Sequence, residues 1–169
     1  MSLIYEPLSK ETLLDVIDLA HLTWADDFKT KDSPEESYLS SIEPEKYQEL
    51  WDRKNFRTLE YFTIKNEGGD VIGIAGLSTK KAETENIVWL EWYAVHPLHR
   101  GKGYGREILQ WVISKVKQKK FKILRLYTSD HIDEVTAQIL YDKLGFKETR
   151  REKEGDNTWT TIYKELILS

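Results

Sequence analysis

The feature that most constrains this chain is an uninterrupted passage from a strand through a glycine loop into a helix. Ile87 to Val95 (IVWLEWYAV) is an apolar run with one charge, Glu91, at its centre. Pro97, which has no N–H to give a ladder, stops it. Gly101, Gly103 and Gly105 follow at alternate positions, and from Gly105 to Lys119 the residues Ile108, Leu109, Val112, Ile113 and Val116 recur at helical spacing. A helix that begins inside a glycine loop leaves its first N–H groups uncovered at the positive end of its dipole, which is an anion site and above all a phosphate site. Arg100, Lys102 and Arg106 add charge of the matching sign. Two familiar phosphate loops do not fit: G-x-x-x-x-G-K-[ST] is absent, and Ile108 stands where G-x-G-x-x-G needs its third glycine. On glycine spacing alone, a strand-to-helix turn without a ligand is the competing reading.

The rest of the chain supplies the other elements of an α/β domain. Ile4 to Leu8 reads as a short strand, and Ser9 as the cap of a helix from about Lys10 to Thr23. Ser33-Pro34-Glu35-Glu36 is a second helix start, and Glu43-Pro44-Glu45 a third that would run to about Trp51. Glu60–Lys65 and Val71–Leu77 form a hairpin around residues 66–70. Lys122–Thr128 is a strand, and Ile132–Leu144 a helix ended by Gly145. Two strands around residues 154–157 close the chain. The expected architecture is a mixed, mostly antiparallel central sheet flanked by about four helices, forming one domain over residues 1–169.

Composition removes whole classes of function. With no cysteine there is no disulfide, thiolate metal site or thiol nucleophile. A net charge of −4 argues against general nucleic-acid binding. No apolar run reaches the ~18 residues of a membrane span, and the N-terminus lacks the order of a signal peptide, so a cytoplasmic location is expected. His21, His96, His99 and His131 bring no cluster of further ligands with them, so no metal is expected.

Two motifs then carry a resemblance. Arg100-x-x-Gly103-x-Gly105, between a strand and an amphipathic helix, is similar to the [QR]-x-x-G-x-[GA] signature of the GNAT superfamily of N-acetyltransferases. Leu140-Tyr141-Asp142-Lys143-Leu144-Gly145-Phe146 resembles the L-Y-x-K-x-G-F of the same family, with Ala137 at its small position. The resemblance at motif level covers about Trp89–Phe146, and the order of elements matches throughout. It implies acetyl-CoA as co-substrate. The pyrophosphate would lie on the N–H groups of Arg100, Gly101, Lys102, Gly103, Tyr104 and Gly105, with Arg106 beside them, and the pantetheine arm in a splay between the Val95 strand and Lys122–Thr128. A backbone N–H near Val95 would polarise the thioester carbonyl. Glu134 stands where many members have Asn and is left out of this ligand set.

Acetyl transfer to an amine needs a base for the ammonium and an acid for the leaving thiolate. Tyr141 matches the family tyrosine placed by the sulfur and is the expected acid; the other reading is a core aromatic. Glu91, four residues before Val95, is the expected base acting through water, or else a carboxylate paired with a cation across the sheet. Strict alternation would put Trp89, Glu91, Tyr93 and Val95 on one face, and Trp92 on the other. Residues 25–60 hold ten acids against six bases, interleaved with Trp24, Phe28, Tyr38, Tyr47, Trp51 and Phe56. That is either a wall for a cationic acceptor or a solvated helical face over core. The expected function is an acetyl-CoA-dependent N-acetyltransferase acting on a small, polyamine or peptidic amine in a ternary complex. The alternative is a catalytically silent acyl-CoA-binding module. The family also suggests a homodimer paired through the last strand.

Overall fold

The computed structural model of the chain describes residues 2–25, 32–153, 155–156 and 158–169. Its centre is the long hairpin of β2 (Phe56–Lys65) and β3 (Val71–Lys80), turned by Asn66, whose side chain accepts from the Asp70 N–H at 2.9 Å. β1 (Ile4–Pro7) adds to the outside of β2, and β4 (Ile87–Val95) to the outside of β3. A helical crossover then returns the chain to the same end of the sheet, so β5 (Ile123–Ser129) joins β4 in parallel. β6 (Lys147–Glu152) and β7 (Thr161–Ile167) complete one seven-stranded sheet in the order β1-β2-β3-β4-β5-β7-β6. The last strand therefore lies inside, paired with β5 on one side and β6 on the other. It has no open edge for a second copy; β6 has that edge. Glu154 and Asn157 of the closing turn lie outside the described residues.

Helices cover the two faces unequally. α4 (Tyr104–Gln118) and α5 (Val135–Lys143) pack on one face, where Ile108, Leu109, Val112, Val116 and Tyr141 join Leu77, Leu90, Leu124 and Leu126 in a continuous core. α1 (Leu13–Thr23), α2 (Pro34–Ile42) and α3 (Gln48–Lys54) cover the β2–β4 half of the other face, around Val16, Leu19, Tyr38, Phe56 and Tyr61. α3, reached through a 3-10 turn at Pro44–Lys46, is the third start read from sequence and makes the described helices five. α1 begins at Leu13, later than expected, because Ser9 and Thr12 form a turn of their own. Ser33 caps α2 as expected, accepting from the Glu36 N–H at 3.3 Å.

Candidate active site

One extra residue in β4 organises the site. Ala94 lies opposite Ile74 and Glu91 opposite Gly76, so Trp92 and Tyr93 share the single partner Ala75. Trp92 takes up the excess with φ of 33°. Such a bulge bends the strand and resets its alternation. Leu90, Tyr93 and Val95 consequently face α4 and α5, while Ala94 and Trp92 pack with the α1–α3 core. Glu91 stands opposite Gly76, over which the Tyr61 ring lies, and so belongs to the α1–α3 face. This corrects the single face that alternation gave to Trp89, Glu91, Tyr93 and Val95.

The bend also parts β4 from β5. The two strands pair only from Ile87↔Ile123 to Trp89↔Arg125, and beyond Trp89 they diverge. His96 N–H donates to Ile72 O across the β3 side at 2.8 Å. By alternation the Val95 amide points the other way, into the gap. Its carbonyl there accepts from Arg100 Nε at 2.9 Å.

At the mouth of this gap lies the glycine loop. Gly101 and Gly103 have φ of 76° and 84°, and a Cβ on either would meet nothing within 4 Å. The first α4 carbonyl used is Gly103 O, taken by Glu107 at 3.1 Å. The N–H groups of Tyr104, Gly105 and Arg106 precede that bond and have no intrahelical acceptor. Among the described residues, no backbone bond is donated by Gly101, Lys102 or Gly103. The result is an open cradle of N–H groups at the positive end of a 15-residue helix, a fit for pyrophosphate. Arg100 is tied into the loop. Its N–H closes a turn onto Pro97 O, and its guanidinium bonds Val95 O and Thr23 Oγ1, so it braces the loop. Tyr93 braces the other side: its hydroxyl donates to Gly105 O at 2.9 Å.

Tyr141 projects from the inner face of α5 into the core that holds Val95 and Tyr104. Burial pushes its hydroxyl well above the usual tyrosine range, with the neighbouring Tyr93 and Glu134 acting in the same direction, so it stays protonated. The Glu134 carboxylate accepts from Thr128 Oγ1 at 2.9 Å, a bond that ties the start of α5 to the end of β5.

Glu91 is on the far side of the gap, 5% exposed. Its Oε1 accepts from Ser78 Oγ at 2.6 Å and faces Lys80 Nζ at 3.4 Å. Lys80, also set over the Phe56 ring at 4.1 Å, has its ammonium pKa lowered by burial, a shift that the Glu91 charge opposes. Glu91 lines a small cleft with Trp92, Tyr127, Phe56, Ser37 and Asp32. Alternation along β4 cannot reveal Ser78, Lys80 or Tyr61, which come from neighbouring strands.

Several acids of the segment are paired. Asp32 pairs with Arg53 and Lys54, Glu43 with Lys10 and Lys46, Asp52 with Lys81, and Glu60 with Lys119. Its aromatics pack inward: Tyr38 stands edge-on to Tyr61, and Trp51 edge-on to Phe56. Asp26, Asp27 and Phe28 lie outside the described residues. No helix of the described residues is long and apolar enough to cross a membrane.

The sequence model of the acetyltransferase (GNAT) family matches residues 19–146. Similar solved structures include the ribosomal-protein-S18-alanine N-acetyltransferase of Escherichia coli, at 17% identity and TM-score 0.73, covering 99% of this chain and 95% of that one. An N-acetyltransferase of Staphylococcus aureus Mu50 has 17% identity and TM-score 0.72, with full coverage of both chains. The spermidine/spermine N-acetyltransferase of Vibrio cholerae has 15% identity and TM-score 0.68, covering 99% and 95%. At these identities the likeness is one of fold. None of the curated proteins matches the chain in sequence.

Proposed function

The chain belongs to the acetyltransferase (GNAT) family, and from that premise we propose that it transfers an acetyl group from acetyl-CoA to a primary amine by direct attack in a ternary complex. The observation that carries this reading is the gap between β4 and β5, which joins the N–H cradle and Tyr141 on one face to Glu91 on the other. Acetyl-CoA, when bound, supplies an acyl group activated as a thioester.

The chain's own groups divide the remaining work. The N–H groups of Gly101 to Arg106 hold a pyrophosphate by charge-assisted bonds. The Val95 N–H, aimed into the gap, stabilises negative charge on the thioester carbonyl oxygen. Tyr141, kept protonated by burial, gives its proton to the departing thiolate. Glu91 has one oxygen anchored by Ser78 and Lys80, which holds the carboxylate at the cleft, where it takes the ammonium proton through water. Placing donor and amine on opposite sides of one opening supplies much of the acceleration through orientation. The acceptor class is a primary amine, carried by a small molecule, a polyamine or a peptide.

The test is amine-dependent release of free CoA thiol over a broad amine panel, with Tyr141→Phe beside the parent chain. Turnover with at least one amine, lowered in the variant while acetyl-CoA affinity is spared, supports the reading. Acetyl-CoA binding without thiol release from any amine points instead to a silent acyl-CoA-binding module.

A further inference from the structure

α1, α2 and α3 cover only part of the face on which Glu91 lies: among the described residues, none from β5, β6 or β7 joins their core. Leu124 and Leu126 of β5 point into the α4–α5 core, so Arg125 and Tyr127 point to the opposite face, the one that holds Glu91. Trp89 shares that face, because its neighbours Val88 and Leu90 also turn to the α4–α5 core. Tyr127 pairs with Tyr163 of β7, and the Arg150 guanidinium of β6 lies 3.8 Å over the Tyr163 ring. Trp89, Arg125, Tyr163 and Arg150 together line a pocket of about 440 Å³, within the size range of ligand sites. Part of its wall is fixed in advance: Trp89 Nε1 donates to Glu83 at 2.6 Å, and Arg125 bonds both Glu83 and Glu165. Arg150, paired with Glu152, is 56% exposed.

This pocket adjoins the Glu91 cleft. Tyr127 lines the cleft, and its ring lies 6.2 Å from that of Tyr163, which lines the pocket. Trp89 pairs with Arg125, and Glu91 and Tyr127 each stand two residues beyond that pair. An amine at Glu91 is therefore roughly 7–10 Å from the pocket, the span of two or three residues of extended chain. Tryptophan, tyrosine and arginine are the side chains that carry most binding energy at protein interfaces, and here they meet on one sheet face beside the cleft. Building on the acetyl-transfer reading above, we propose that the acceptor is a peptide whose terminal amine enters the Glu91 cleft while its second to fourth residues lie over Tyr127 and in the pocket of Trp89, Tyr163 and Arg150. A simple amine fills only the cleft. A peptide gains the pocket as well, and that binding orients its amine.

The experiment compares kcat/KM, with acetyl-CoA as donor, for a panel of lysine-free tetrapeptide amides and for simple amines (the matching amino-acid amides and spermidine). The parent chain is set beside Arg150→Ala and Tyr163→Ala, and sedimentation velocity gives the oligomeric state of each. Arg150 is exposed, so its truncation keeps the test alive if Tyr163→Ala fails to fold. The parent is expected to use its best tetrapeptide about 100-fold better than any simple amine, and each folded variant to narrow that ratio about tenfold or more, through KM for the peptide. Simple amines used as well as the peptides overturn the proposal, as does an unchanged ratio in variants that still acetylate the peptide. A parent dimer that either variant converts to a monomer places a second copy of the chain on this face and overturns it too. A parent chain that transfers acetyl to no amine of either kind overturns the acetyl-transfer reading itself, and this inference with it.

Discussion

Glu91 and Val95, four residues apart on β4, lie on opposite faces of the sheet because Trp92 and Tyr93 share one partner on β3. The bulge puts the carboxylate where an amine would arrive and the Val95 side chain where the cradle and Tyr141 lie. Glu91→Gln preserves the Ser78 contact and removes the proposed base. Turnover is expected to fall about 10²–10⁴-fold, with thermal stabilisation by acetyl-CoA unchanged. Steady-state kinetics and a melting series check both halves, and parent-like turnover would leave Glu91 a structural carboxylate.

The Glu91–Lys80 pair has a separate stability signature. Lys80→Met leaves a buried carboxylate without its cation, at an expected cost of about 3 kcal/mol, the lower end for such losses because Lys80 keeps some solvent contact. Glu91→Gln in the same background should recover part of that loss. Urea unfolding of the four proteins in the cycle measures the coupling, and strict additivity would show that the two side chains do not interact.

Alkaline stability follows from the tyrosines. Burial raises the pKa of Tyr38, Tyr61, Tyr93 and Tyr141 above the usual 10.0. Above that value the unfolded chain releases protons that the folded chain retains, so stability present at lower pH declines as pH rises. Each group contributes up to about 1.4 kcal/mol per pH unit. Tyr38→Phe tests one group: its hydroxyl is buried with no hydrogen-bond partner among the described residues. The variant is expected to be about 1 kcal/mol more stable, with a shallower loss between pH 10 and 11, measured by urea titration.

Gly105 and Tyr93 form a matched pair. A Cβ on Gly105 would lie 2.8 Å from the Tyr93 hydroxyl, breaking its bond to Gly105 O. Gly105→Ala should therefore weaken acetyl-CoA binding, and Tyr93→Phe should relieve much of the defect by removing the clashing oxygen. Isothermal titration of the two single variants and the double variant distinguishes this from a general intolerance of side chains at the loop.

Much of this was legible in the sequence, and the exceptions have physical causes. Strand, glycine loop and helix were readable because proline, alternate glycines and a 3.6-residue period are local signals. The bulge was not: nothing in IVWLEWYAV marks an extra residue, and tryptophan is the opposite of a left-handed signal. Ser78 and Lys80 reach Glu91 only through the register of β3 on β4. The acidity of residues 25–60 is partly offset from outside the window, by Lys10, Lys81 and Lys119, which are distant in sequence. The bond from the Arg100 guanidinium to Val95 O depends on how the loop folds back on β4, which the motif does not encode.

Binding of acetyl-CoA at the loop that opens α4 can be read from thermal unfolding. Ligand at about 100 times its Kd stabilises by ~2.7 kcal/mol, and each kcal/mol is worth roughly 2–4 °C for a chain of this size. The expected result is a rise in Tm of about 5–10 °C with acetyl-CoA and none with NAD or ATP. No shift at millimolar acetyl-CoA, or a shift with NAD or ATP instead, would show that the loop is not an acetyl-CoA site.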